Sequence, residues 1–141
     1  MTAPNTQTSY ISKLIGDFNP DGLFYACNAS IPANYAAGNQ TLLAADLVGG
    51  MIKQIAANNS TPALTTDTGA NVAALLPGGV NAQNGTAFWF TIVNLGLGNG
   101  TQTLTAGTGW TLVGNATVPI ATSGTWRAVY NGNSTFTAIR E

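Results

Sequence analysis

An all-β single domain, either a sandwich or a barrel and carrying one or two short helices, is the architecture that this sequence predicts. Three observations lead there. The chain has 141 residues, enough for one core. Beyond residue 85, runs of β-branched and aromatic residues recur at short intervals between Gly- and Asn-rich turns. Gly, Thr, Asn and Ala dominate the composition, which suits short strands and tight turns better than long helices.

Taken in order, residues 1–7 are polar, include Pro4 and read as an arm. In TSYISKLI, residues 8–15, Tyr10, Ile11, Leu14 and Ile15 share a helical face, Thr8 or Ser9 can cap it, and Gly16 suits its stop. The turn DFNPDG follows, and FYACNASI (24–31) has strand composition. Residues 1–18 are thus expected as an arm with a short helix, and residues 19–141 as the sandwich. TLLAADLVGG (41–50) predicts a helical turn ended by Gly49 and Gly50, and MIKQIA (51–56) a strand. In DTGANVAALLPGG, Val72, Leu75 and Leu76 follow helical spacing, Asp67 or Thr68 caps, and Pro77 with Gly78 ends the helix.

The β signal then strengthens. TAFWFTIVN (86–94) is apolar on both faces, as in a central strand. TQTLT (101–105), WTLV (110–113) and NATVPI (115–120) follow, and TWRAVY (125–130) and TFTAIR (135–140) flank the hairpin signal NGNS. Strict alternation in that hairpin places Trp126, Ala128 and Tyr130 with Ile139, and Arg127, Val129, Phe136 and Arg140 on the opposite face. Neither an internal repeat nor an interdomain linker stands out.

Charge excludes more than it suggests. Charged residues are 6% of the chain, where about 25% is usual, and from Asp67 to Arg127 no ionisable side chain of either sign intervenes. A net charge of −1 offers no basic footprint for nucleic acid or for an anionic membrane. The amino terminus lacks the basic and apolar regions of a signal peptide, and one cysteine, Cys27, excludes an internal disulfide. No histidine exists to act as a general base or metal ligand. Asp17 and Asp21 are the only carboxylates close in sequence, so enzymatic activity, with any cofactor or metal, is not expected.

Several motifs have plainer explanations. Asp17-Phe-Asn19-Pro-Asp21-Gly22 matches the opening half of a calcium loop, but Asn28 stands where a bidentate carboxylate is needed, and an Asn-Pro-Asp-Gly turn explains the same residues. Cys27 lies in an apolar strand as an inert thiol. Eight N-x-S/T matches follow from the abundance of Asn and Thr.

Interaction candidates remain. Tyr10, Ile11, Leu14, Ile15 and Phe18 form an apolar stripe that fits a partner's groove or the protein's own sandwich. Trp89 and Trp126 read as core, whereas Trp110, starting a strand after a Gly turn, suits an exposed or interface position near a sheet edge. Arg127 and Arg140, as cross-strand neighbours, could anchor a partner's carboxylates or form part of a solvated outer face. Exposed tryptophans would instead suit a carbohydrate-binding sandwich, free or at the tip of a phage fibre.

The run FWFTIVNLGLGNGTQTLTAGTGWTLVGNATV, followed by SGTWRAVYNG, resembles a pattern of small phage structural proteins. TLLAADLVGGMI and the short helix ending in LLPGG fit the same group. Over residues 41–140 the chain is similar to the cement, or decoration, proteins of tailed-phage heads, and part of the pattern also occurs in fibre and tail-associated proteins. The resemblance implies a jelly roll on the outer surface of the virion capsid, made in the bacterial host cytoplasm. It also implies a homodimer or homotrimer whose partner is the major capsid protein, with no cofactor, nucleic acid or membrane involved.

Overall fold

The computed structural model describes residues 33–96 and 98–141. The expected arm, the helix over 8–15, the Asp17–Asp21 turn, the strand over 24–31 and Cys27 lie outside them. Ten strands run through the described chain: β1 (Ala33–Tyr35), β2 (Gln40–Leu42), β3 (Met51–Gln54), β4 (Ala63–Thr66), β5 (Ala87–Asn94), β6 (Gln102–Thr105), β7 (Trp110–Val113), β8 (Thr117–Val118), β9 (Thr122–Gly132) and β10 (Thr135–Arg140). Two short helices, α1 (Ala44–Gly49) and α2 (Gly69–Ala73), and a 3-10 turn (Gly79–Asn81) complete it. The strands form a six-stranded sheet, β1-β3-β5-β9-β10-β7, and a four-stranded sheet, β2-β4-β6-β8. Their packed faces make a β-sandwich.

Jelly-roll strand order is not found among the described strands. From β1 to β6 the chain alternates between the sheets, so β1, β3 and β5 pair in parallel in one and β2, β4 and β6 in the other. A jelly roll is built from antiparallel neighbours. Here a strand of the opposite sheet serves as the crossover that parallel pairing needs. Closely spaced strands with Gly turns fit either path, so sequence spacing could not separate them. Only the last strands turn back: β9 lies antiparallel between β5 and β10, and β8 runs antiparallel to β6.

The winding exposes a repeat that sequence inspection missed. Met51 pairs with Thr91, Ile52 with Ile92 and Gln54 with Asn94, and Ala63 pairs with Thr103, Leu64 with Leu104 and Thr65 with Thr105, always 40 residues apart. The offset persists into the turn beyond, where Gly69 N donates to Thr108 O at 2.8 Å. Residues 51–54 and 63–65 therefore lie on residues 91–94 and 103–105, and the same offset aligns the sequence of 51–69 with that of 91–109. Seven positions are identical between them: Ile52/Ile92, Asn59/Asn99, Thr61/Thr101, Leu64/Leu104, Thr65/Thr105, Thr68/Thr108 and Gly69/Gly109. The repeat is faint because most shared positions are small and polar, in a chain already rich in them.

Local chemistry accounts for the helices. Thr68 caps α2 by accepting from Asn71 N, and α1 stops at Gly50, whose φ of 92° suits glycine. Residues 41 and 42, expected in a helical turn, belong to β2 instead, and β4 was not foreseen in the sequence. The core is aromatic at its centre. Phe90 stacks on Trp126 with centroids 5.6 Å apart, Trp110 stacks on Phe136 at 4.7 Å, and Phe88 meets Phe136 edge-on. Leu64, Leu104 and Val118 from the smaller sheet, with Leu47 and Val72 from the helices, belong to the same buried cluster.

In the final hairpin the expected faces are corrected. Asn133 and Ser134 both adopt positive φ and make a two-residue turn, so β9 continues through Gly132. The register then slips by one residue between Thr135 and Phe136. Continued without that bulge, the Thr135–Gly132 pairing would set Ile139 opposite Ala128, the arrangement that alternation predicts. With it, Phe136 faces Tyr130, Ala138 faces Ala128 and Arg140 faces Trp126, while Ile139 moves to the outer face beside Arg127.

Replacing Leu64 by Ala empties a fully buried position of the stacked pair. We expect a loss of about 2–5 kcal/mol in urea unfolding. Leu75→Ala, at an exposed site, should change the midpoint little.

Candidate functional site

Of the residues expected to meet a partner, Tyr10, Ile11, Leu14, Ile15 and Phe18 lie outside the described residues. The other three are not gathered into one site. Trp110 does begin a strand at the edge of the larger sheet, yet its ring is turned inward, 8% exposed, between Phe136 and Phe90. The expected exposure is corrected because the Gly107–Gly109 turn delivers it to the inner face of β7, where its Nε1 is buried without a hydrogen-bond partner. Trp126 is core, as expected. Trp89 is not: Phe88 and Phe90 point inward, so Trp89 stands half-buried on the outer face, in register with Arg127.

Arg127 and Arg140 are likewise not neighbours on one face, because of the same bulge. Arg127 lies on the outer face with its Nε 3.4 Å from Glu141 Oε1, a charge contact rather than an aligned hydrogen bond. Arg140 turns inward, its guanidinium carbon 4.3 Å from the Trp126 ring centre and its Nη2 donating to Ser123 O at 3.3 Å. Burial lowers the pKa of Arg140 from the ordinary arginine value. Gly124 makes room for this side chain, since a Cβ there would collide with Nη1.

A polar knot ties the first helix to the sandwich. Tyr35 Oη donates to Asp46 Oδ2 at 2.5 Å and accepts from Leu43 N at 2.8 Å. Burial, followed by the bond to Asp46, pushes the Tyr35 hydroxyl up to about 12. Asp67 accepts from Ala44 N, Thr68 N and Asn71 Nδ2. Burial acts to raise its carboxyl, but these donors outweigh it and hold the group below its usual value. The Tyr35 hydroxyl, Asp46 Oδ2 and both Asp67 oxygens fasten chain segments, so the knot reads as structure rather than chemistry. Among the described residues no three His, Cys, Asp or Glu side chains gather to hold a metal.

The more open feature is a pocket of about 570 Å³ at the carboxyl ends of β1, β3 and β5. Tyr35, Ala36, Ala37, Ile55 and Leu95 contribute to its lining, together with Lys53. Ile55 and Leu95 are 55% and 49% exposed, and the 40-residue offset makes them equivalent positions of the two stacked repeats. Gln54 builds the adjoining wall: its Nε2 donates to Ala36 O and Gly38 O, and its backbone oxygen accepts from Gln102 Nε2. Asn94 does the same one strand over, donating to Gly100 O and Val118 O and accepting from Gly96 N. Sequence reading passed over this site, and the signal available was the shared Ile-x-[Gln/Asn]-[Leu/Ile] pattern of β3 and β5 read as Ile52-x-Gln54-Ile55 and Ile92-x-Asn94-Leu95.

The described residues thus define a two-sheet β-protein that carries an apolar cleft at one end of its larger sheet. Comparison with protein-family models, curated proteins and solved structures gave no match.

Burial and the bond to Asp46 favour the protonated Tyr35 hydroxyl in the folded state, against the bond from Leu43 N, so the net contribution is present below the ordinary value of 10.0 and is lost as pH rises towards about 12. Tyr35→Phe is expected to lower stability by about 1 kcal/mol at neutral pH. It should also flatten the decline between pH 10 and 12, followed by urea unfolding across that range.

Proposed function

We propose that this chain is a virion structural protein that binds the outer surface of an icosahedral phage capsid and cements neighbouring major capsid subunits. One observation carries the reading: the scarcity of unpaired charge among the described residues of the two-sheet body. Among the described residues, five of the six charged side chains are engaged within the protein. Asp46 and Asp67 hold the α1 region, Arg127 pairs with Glu141, and Arg140 covers Trp126. Only Lys53 is left. Stranding an unpaired charge under a partner is the expensive part of covering a surface. A neutral surface of Thr, Asn and Ser avoids that cost, and attachment repeated over a lattice turns modest contacts into lasting binding.

Self-association as a homodimer or homotrimer belongs to the same proposal, since a symmetric clamp engages several subunits at once. The reading needs area and rigidity and does not depend on jelly-roll strand order. The carbohydrate reading finds less support. Glycan stacking needs accessible aromatic faces. Trp110, Trp126 and Tyr130 are buried, Tyr35 is tied to Asp46, and Trp89 is half-buried.

Mixed with undecorated phage heads and pelleted, the protein is expected to bind saturably at a fixed ratio to the major capsid protein and to raise the heat resistance of the shells. Deleting residues 1–18 should weaken that attachment while leaving the melting temperature within a few degrees. Absence of binding by the full chain would overturn the cement reading, and equal binding by both chains would remove the arm from it.

A further inference from the structure

The cleft at the carboxyl ends of β1, β3 and β5 is apolar along its walls and positive at one point. Isolated exposed apolar side chains are ordinary, but Ile55 and Leu95 are not isolated. They hold the same place in successive stacked strands, roughly 4.8 Å apart across the ladder, and so form one continuous apolar wall. Tyr35, Ala36 and Ala37 line the same space. Lys53 lines it as well. Among the described basic side chains Lys53 is the one without an internal partner, since Arg127 lies against Glu141 and Arg140 is taken up by Trp126 and Ser123 O.

We propose that this cleft docks an extended segment of a protein partner in which an apolar side chain stands next to a carboxylate. The apolar side chain fills the space between Ile55, Leu95 and the Ala36–Ala37 segment, and the carboxylate meets Lys53 Nζ. A volume of about 570 Å³ holds a side chain with its flanking backbone. The walls are set before the partner arrives, because Gln54 bonds Ala36 O and Gly38 O on one side and is itself bonded by Gln102 on the other. Ordering cost on binding is correspondingly small. The proposal deepens the capsid reading by naming the contact chemistry, and it rests on that reading only for which protein supplies the segment.

Two measurements on the full chain separate the parts. The first titrates N-acetyl-leucine, an apolar side chain beside a carboxylate, and follows the methyl resonances of Ile55 and Leu95 by NMR. Saturable shifts in the millimolar range are expected. N-acetyl-leucinamide, which lacks the charge, should bind about two- to fivefold more weakly, as should N-acetyl-leucine to Lys53→Gln. No shift at these methyls, or equal binding of the acid and the amide, overturns the proposal. Tighter binding of octanoate than of N-acetyl-leucine would overturn the peptide occupant in favour of an acyl chain.

The second measurement pellets phage heads with Lys53→Gln, Lys53→Glu and Leu95→Ser, with Leu43→Ser and Val113→Ser as controls at exposed apolar positions elsewhere. The cleft variants are expected to bind at least about fivefold more weakly, since oligomeric attachment multiplies a loss per site, and the controls to bind as the parent does. Melting temperatures verify that each variant is folded. Cleft variants that bind heads like the parent overturn the proposal and leave the cement reading standing. A parent chain that takes up N-acetyl-leucine but ignores heads does the reverse.

Discussion

In-register stacking of one repeat on the next is the constraint to which the rest of the structure answers. Once Ile52 lies on Ile92 and Leu64 on Leu104, each sheet must grow in parallel and the chain must pass to the other sheet between neighbours. The turns that make those passages bring backbone carbonyls inward, where water does not satisfy them. Gln54, Asn94 and Gln102 are buried there, and their amide nitrogens donate to backbone oxygens: Gln54 to Ala36 and Gly38, Asn94 to Gly100 and Val118, Gln102 to Gln54. An apolar residue at Gln54 or Asn94 would fit the burial but remove the side-chain donor to the Ala36, Gly38 and Gly100 carbonyls.

A second constraint acts at the other end of the larger sheet. The extra residue is Asn131 of β9, passed over between the Thr135–Gly132 and Phe136–Tyr130 pairs, and it turns Phe136 into the core and Ile139 out of it. That one-residue slip brings Phe136 against Trp110, Tyr130 and Phe88, and carries Arg140 over Trp126. The bulge therefore assembles the aromatic centre and separates the two arginines in a single step. What remains on the outside of the described residues is a mostly polar surface whose charges are the Arg127–Glu141 pair and Lys53, and this scarcity of unpaired charge is the property on which the assembly reading rests.

The fold class was legible because it depends on local signals. The FWFTIVN strand, the Thr68 cap and the closing hairpin are each written in a few adjacent residues, and each is found. Strand partners were not, because pairing at a distance of 40 residues leaves only scattered identities such as Asn59/Asn99 and Thr61/Thr101. Faces failed where a single backbone irregularity inverts them, so Arg140 and Ile139 exchanged places. Trp89 reads as core in FWF because sequence shows the residue but not which side of a central strand is covered. The cleft was invisible for a related reason: Ile55 and Leu95 look like the ends of two separate strands until stacking sets them side by side.

Parallel winding also orders events in time. The pairings β3–β5 and β4–β6 each close a long stretch of chain before any contact rewards it, whereas β9 and β10 meet across two residues. Such non-local topologies fold slowly compared with local ones. The ribosome delivers the strands in the less favourable sequence, with β1 to β4 emerging before the aromatic residues of β5, β9 and β10 that enclose them. Until those later strands arrive, Leu42, Leu47, Ile52 and Leu64, all fully buried in the finished fold, have nothing to cover them, so the wait is an interval of exposed apolar surface.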